Sequence, residues 1–276
     1  MNQLSAPHRK IRSLINPAGS RRALVVEGDD DKVFIERQLD TAHPGWRAKW
    51  VVGSATGKTR VLDILDLEPT WLGLVDSDEW DSSTITQLTT QLPSLHVLPR
   101  YCMESYFILP REVWPLLTTS EQAKISGGYP AFVSAIMAPL ASWVRHGVLW
   151  QVVNPLWAGL KAKGFKDALL DITAAQSDQT IQAKLQEWDA YLDSTTIFND
   201  FQARLANAIR PTLPDEQKLA TLVHGKSFFR AHVSVTLNQL LKPLNAEPAE
   251  YWLTELTKNS PAHSDFAPLW ADMQLP

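Results

Sequence analysis

Two short acidic motifs hold the side chains best suited to chemistry. Glu27 follows the apolar run Ala23-Leu24-Val25-Val26 and is succeeded by Gly28, Asp29, Asp30 and Asp31. Asp76, Ser77 and Asp78, with Glu79 beyond, follow a second apolar run that starts at Trp71 and ends at Val75. A helix N-cap and the acidic preference of a first helical turn account for Asp30 or Asp31. They do not account for Glu27, which comes straight off a buried strand where a lone carboxylate is costly. An Asp-x-Asp at a strand end is expected to aim two carboxylates the same way, because alternate residues share a face. Carboxylates that converge repel one another unless a cation joins them. Hard oxygen ligands of this kind favour Mg2+ or Mn2+. Such an ion activates water and holds phosphodiester oxygens during an in-line displacement.

The elements around these motifs predict an α/β fold. Apolar runs at Ala23–Val26, Trp46–Val52, Trp71–Val75 and Leu95–Leu98 read as strands, and the stretches Lys32–Leu39, Val61–Leu67 and Ser83–Leu92 between them read as helices. That alternation implies a mostly parallel sheet flanked by helices. Runs without polar alternation suit strands covered on both faces. In such sheets functional groups gather at the carboxyl ends of the strands, where both acidic motifs fall. Beyond residue 110 the strand signals fade. Ala131–Trp143, Asp178–Leu192, Ile197–Ile209 and Ser227–Leu241 read as helices, and most of the 11 tryptophans fall in this later part, as expected of core anchors. The expected layout is an N-terminal arm over 1–19, an α/β domain over 20–110 and a C-terminal α-helical region over 111–276.

Composition narrows the function classes. The 276 residues are 45% hydrophobic and 20% charged, an ordinary globular balance, and the single cysteine, Cys102, excludes a disulfide framework and a thiolate metal cluster. The chain begins with a polar stretch and carries no unbroken apolar run of roughly 18 residues, so a cytoplasmic protein without a membrane span is expected. None of the 7 histidines is paired at His-x-x-x-His spacing, which leaves no helical zinc motif. The net charge of −4 makes nucleic-acid binding depend on local basic groups. Arg9, Lys10, Arg12, Arg21 and Arg22 form one such group; Lys161, Lys163 and Lys166 form a second; Lys226 with Arg230 forms a third.

Val26-Glu27-Gly28-Asp29-Asp30-Asp31, followed by Val75-Asp76-Ser77-Asp78, resembles the TOPRIM domain of topoisomerases, primases and overcoming-lysogenisation-defect nucleases. More narrowly, the chain resembles standalone TOPRIM proteins that accompany ABC-type ATPases in anti-phage defence. Gly57-Lys58, the segment Tyr101-Cys102-Met103-Glu104-Ser105-Tyr106-Phe107 and Gly225-Lys226 support the narrower likeness. The resemblance covers roughly residues 22 to 110. It implies a TOPRIM sheet and a metal-dependent endonuclease, with Glu27 as metal ligand or general acid–base and Asp76 and Asp78 as metal ligands. Asp31 and Glu104 would be supporting acids, and Lys226 the cation that steadies a phosphate or leaving oxygen. It also implies a nucleic-acid substrate, RNA or DNA, with tRNA as the family's example, and restraint by an ATPase partner subunit or by homodimer formation. No feature marks a topoisomerase tyrosine, a zinc ribbon or a fused ATPase.

Two other readings stand beside this one. Gly53-Ser54-Ala55-Thr56-Gly57-Lys58-Thr59 imitates the phosphate loop of an NTPase, but it has one residue too few between its glycines. Lys58 is then free either to approach the metal site or to meet a nucleic-acid phosphate. The other reading is a non-catalytic TOPRIM scaffold that binds nucleic acid or an ATPase partner.

Overall fold

The computed structural model describes residues 5–15, 21–78, 80–165 and 177–275. Glu79 and Lys166 lie outside the described residues. Four strands, β1 (Arg22–Val26), β2 (Trp50–Ser54), β3 (Leu72–Val75) and β4 (Leu95–Val97), form one all-parallel sheet in the order β2-β1-β3-β4. Helices α2 (Asp29–Ala42), α3 (Lys58–Leu67) and α4 (Ser82–Gln91) make the crossovers, so the first hundred residues are the βα alternation that the apolar runs predict. Ala23, Leu24, Val25 and Val26 are fully buried, which is why β1 shows no alternating polar face. The N-terminal segment contributes α1 (Ala6–Leu14), whose Ile11 packs into the cluster built on Val25, Val51 and Val75.

Two boundaries differ from expectation. Trp46–Val52 is not one strand: Gly45 takes a left-handed φ of 96° and starts a 3-10 turn over Trp46–Ala48, and β2 begins at Trp50. The Trp46 indole donates to Asp40, so its burial serves the end of α2 rather than a strand face. The helix expected over Ala131–Trp143 is interrupted at Pro139, leaving Gly128–Met137 and a longer helix, Leu140–Ala162.

Contact density divides the chain into two compact units, 1–138 with 225–276, and 139–224. The sheet's unit therefore takes in the helices after residue 225. Long-range hydrogen bonds hold them there: Gln38 Nε2 donates to the Pro261 carbonyl, the His263 N–H donates to Gln38 Oε1, and the Trp50 indole donates to the Met273 carbonyl. In the second unit the helix Leu140–Ala162 meets Ser194–Ala208 and Asp215–Leu222. Gly147 lets that last contact form, because a Cβ there would stand 1.8 Å from the Leu222 carbonyl oxygen. Among the described residues, the stretch Gly128–Ala162 is long and apolar enough to cross a membrane by length and composition, with an 18-residue window of mean hydropathy 1.3 that is 33% buried. No unbroken apolar run marks it in the sequence because Arg145, His146, Gln151 and Asn154 interrupt the pattern.

Candidate metal centre

In the order β2-β1-β3-β4 the chain leaves β1 for one side of the sheet and β3 for the other. The crevice at their carboxyl ends is thus the topological switch point, where open α/β sheets bind ligands. Glu27 follows β1 and Asp76 follows β3 directly. The Asp76 N–H donates to Glu27 Oε1 at 2.8 Å, which links the two strand ends. Asp78 completes the group: ligand atoms of Glu27, Asp76 and Asp78 lie within 4.8 Å of one another.

The convergence of Asp76 and Asp78 has a different cause from the one expected. β3 stops at Val75, so strand alternation does not reach Asp78. Asp78 instead takes φ of 44°, in the left-handed region that non-glycine residues rarely adopt. Its N–H donates to the Tyr101 carbonyl, and the Ser77 hydroxyl donates to the Arg100 carbonyl, so the segment after β4 fixes the turn. Backbone strain held in this way is characteristic of sites whose side chains must point in one direction.

The electrostatics follow from burial. Glu27 is pushed up to about 7, first by desolvation, while Lys58 and the Asp76 N–H pull it back. Asp76 is raised well above the ordinary carboxylate range by desolvation and by Asp31, Asp78 and Glu27 around it. Its carboxyl is half-buried, like that of Glu27, and has no hydrogen-bond or ion-pair partner among the described residues. Three half-buried carboxylates held this close repel one another, and a hard cation shared among them offsets that repulsion. The donor set therefore fits Mg2+ or Mn2+.

Asp31, Glu104 and Lys226 line one cavity of about 400 Å3 with Glu27 and Asp76; Lys58 and Asp78 stand outside its lining. Asp31 sits in the first turn of α2 and accepts from the Gly28 N–H at 2.8 Å. It is pushed up to about 6, by burial first and then by Glu104, with Lys226 opposing. Glu104 is buried at 7% exposure in the 3-10 turn Met103–Phe107, and Lys226 Nζ lies 3.9 Å from its Oε1. Gly225 makes that approach possible: a Cβ there would meet Ser105 Oγ at 2.5 Å and Cys102 Sγ at 2.7 Å. Asp31 and Glu104 thus form a second acidic flank beside the triad.

Lys58 begins α3 and turns onto the triad, donating to Asp78 Oδ2 at 2.7 Å. The loop before it is not a phosphate cradle. Gly53 and Ser54 belong to β2, and the N–H groups of Ala55 and Gly57 donate to the carbonyls of Val26 and Glu27. Those donors are spent on β1 and cannot curve around an anion. Trp80, whose ring lies 4.3 Å from Lys58 Nζ, was not legible as a site residue, because only its place two residues after Asp78 pointed to it.

The basic groups are largely engaged. Arg12 and His8 pair with Glu68, Arg21 donates to the Leu14 carbonyl, and Arg22 lies over the Trp50 ring. Lys163 pairs with Glu187, Lys161 lies over Trp157, and Arg230 pairs with Glu250. Cys102 is buried and its thiol is pushed up by desolvation, so it is inert rather than nucleophilic. The His224 ring packs 4.5 Å from that of Trp150, within the second unit.

The comparisons are brief. The chain matches no family model and no curated protein. The site's chemistry therefore carries the functional reading by itself.

Proposed function

We propose that the chain is a divalent-metal-dependent nuclease of TOPRIM type that hydrolyses phosphodiesters in nucleic acid. The observation that carries this reading is the meeting of Glu27, Asp76 and Asp78 at the switch point, with ligand atoms within 4.8 Å of one another. These three residues hold Mg2+ or Mn2+. The ion supplies activated water and charge stabilisation for an in-line displacement. Without the ion Glu27 is raised to about 7 by desolvation, and a bound dication would favour its ionised form. Lys226, half-exposed at the cavity rim, steadies a phosphate or leaving oxygen. Asp31 and Glu104 keep that lysine in place. The open cavity admits a strand backbone.

The resemblance extends the proposal to RNA, with tRNA foremost, and to a toxic effector of anti-phage defence in the cytoplasm. An unrestrained nuclease damages its host, so an ATPase partner subunit or a homodimer is the expected restraint. The NTPase reading loses support from the engaged loop N–H groups. The scaffold reading predicts metal binding without turnover.

The test uses purified protein with RNA and with DNA, in Mg2+ or Mn2+, beside Glu27→Gln and Lys58→Ala. Metal-dependent cutting that disappears in Glu27→Gln supports the nuclease. ATP hydrolysis that disappears in Lys58→Ala, with no cutting, replaces it with the NTPase reading. Metal binding with neither activity leaves the scaffold.

A further inference from the structure

Three carboxylates with ligand atoms within 4.8 Å of one another need a cation to offset their repulsion. One side chain already provides it. Lys58 Nζ lies 2.7 Å from Asp78 Oδ2 and 3.9 Å from Glu27 Oε1, so a single ammonium bridges two of the three acids. The Lys58 side chain is 17% exposed and that of Glu27 18%, so water screens this attraction far less than it does at an open surface. The Trp80 ring backs the ammonium at 4.3 Å, an arrangement that favours a cation there when Asp78 is otherwise occupied as well.

The backbone on either side of this contact is fixed. Gly57 N–H is bonded to the Glu27 carbonyl and Asp78 N–H to the Tyr101 carbonyl. Only the lysine stem is free to turn, since its four carbons carry rotatable bonds. Ammonium and divalent ion therefore draw on the same two carboxylates, and the one that leaves must be the ammonium, by side-chain rotation alone.

We propose that Lys58 is a tethered counter-ion of the triad. It keeps the three carboxylates assembled before a divalent cation arrives, competes with that cation for Asp78 and Glu27, and swings off when the cation binds. This rests on the metal-dependent reading above and adds a regulating element to it: Lys58 sets the metal concentration at which the site loads. It acts through the ligands and is a positioning residue.

The direction of the effect separates this role from an ordinary structural one. Removing a structural lysine leaves metal affinity unchanged or weakens it; removing a competitor strengthens it. Calorimetric titration of Mn2+ into wild type, Lys58→Met and Asp76→Asn reads this out without reference to cleavage. Lys58→Met keeps the apolar stem against Trp80 and is expected to bind Mn2+ on the order of tenfold more tightly. Asp76→Asn is expected to lose binding. If Asp76→Asn loses binding while Lys58→Met binds no more tightly than wild type, the counter-ion proposal fails and the metal site survives. If Asp76→Asn binds Mn2+ as wild type does, the metal reading itself fails.

A second measurement needs no variant. Amine-reactive labelling of the wild-type chain, read by mass spectrometry with Lys32 as the internal reference, is expected to modify Lys58 several-fold faster once Mg2+ is added. Labelling of Lys58 that is unchanged or slower with Mg2+ overturns the proposal.

Discussion

The two acidic flanks of the cavity are built on different terms. On the triad side, Glu27, Asp76 and Asp78 are held by backbone: a strand-to-strand N–H bond, a left-handed turn tied to Tyr101, and an ammonium at 2.7 Å. On the other side, Asp31 caps the start of its own helix, and Glu104 faces a lysine 3.9 Å away that is 52% exposed. The first flank is fixed by its backbone, with Lys58 compensating Glu27 and Asp78 but not Asp76. The second is loosely compensated and depends on a residue delivered from nearly two hundred positions later. A pre-set group suits an ion with strict demands on its ligands, and an adjustable one suits a polymer whose phosphates vary in position.

The sharpest way to break this contrast is to neutralise one member of the rigid flank. Asp76→Asn is expected to lower metal-dependent cleavage by at least on the order of a thousandfold, measured as the single-turnover rate at saturating Mn2+. A loss under tenfold would mean that the triad is no more essential than its neighbours.

The next effect concerns proton binding. Glu27 and Asp31 titrate near 7 and 6 in the folded chain, against 4.5 and 3.8 for the free groups. Between those values the folded protein holds more protons than the unfolded one. Stability without metal is therefore fully present below about pH 4, falls as pH rises, and is lost from these groups above about 7. For Glu27 alone the loss is on the order of 3 kcal/mol. Thermal melts in chelator from pH 5 to 8 should show the decline, Glu27→Gln should flatten it, and Mn2+ should remove most of it. Half-buried His96 and His263, held below their ordinary range by desolvation, push the other way. The deciding quantity is therefore the difference between wild type and Glu27→Gln, and no difference across the window contradicts the raised Glu27.

Gly225→Ala sharpens the picture of the adjustable flank. The added methyl presses on Ser105 and Cys102, at a cost of about 1–3 kcal/mol, visible as a lower midpoint in urea. The smallest effect is expected from Lys226→Ala: cleavage falls about tenfold while Mn2+ affinity stays within about twofold of wild type, because its charge serves the substrate rather than the ion. Equal losses in both quantities would merge the two flanks into one site.

How much of this was legible beforehand depends on the distance over which each feature is encoded. The four strands and the two acidic motifs are local patterns, and β1, β3 and β4 fall where the apolar runs of the sequence lie. The Asp-x-Asp spacing pairs Asp76 with Asp78 through strand alternation, but the pleat ends before Asp78 and a turn supplies the direction. The Lys58–Asp78 contact joins residues 20 apart in different elements, and no periodicity announces it. Gln38 and Trp50 fall within an expected helix and an expected strand, yet their polar atoms are satisfied by Pro261, His263 and Met273. Partners more than 220 positions away leave no trace in a window of neighbours.

That last arrangement has a consequence for synthesis. The sheet and its carboxylates leave the ribosome well before the segment bearing Lys226, with the whole of 139–224 emerging in between. During that interval the nascent chain owns an acidic crevice but lacks the cation that completes its outer rim, and Gln38 and Trp50 have no mates. On the proposed nuclease reading, competence to cut is thereby postponed to the end of translation.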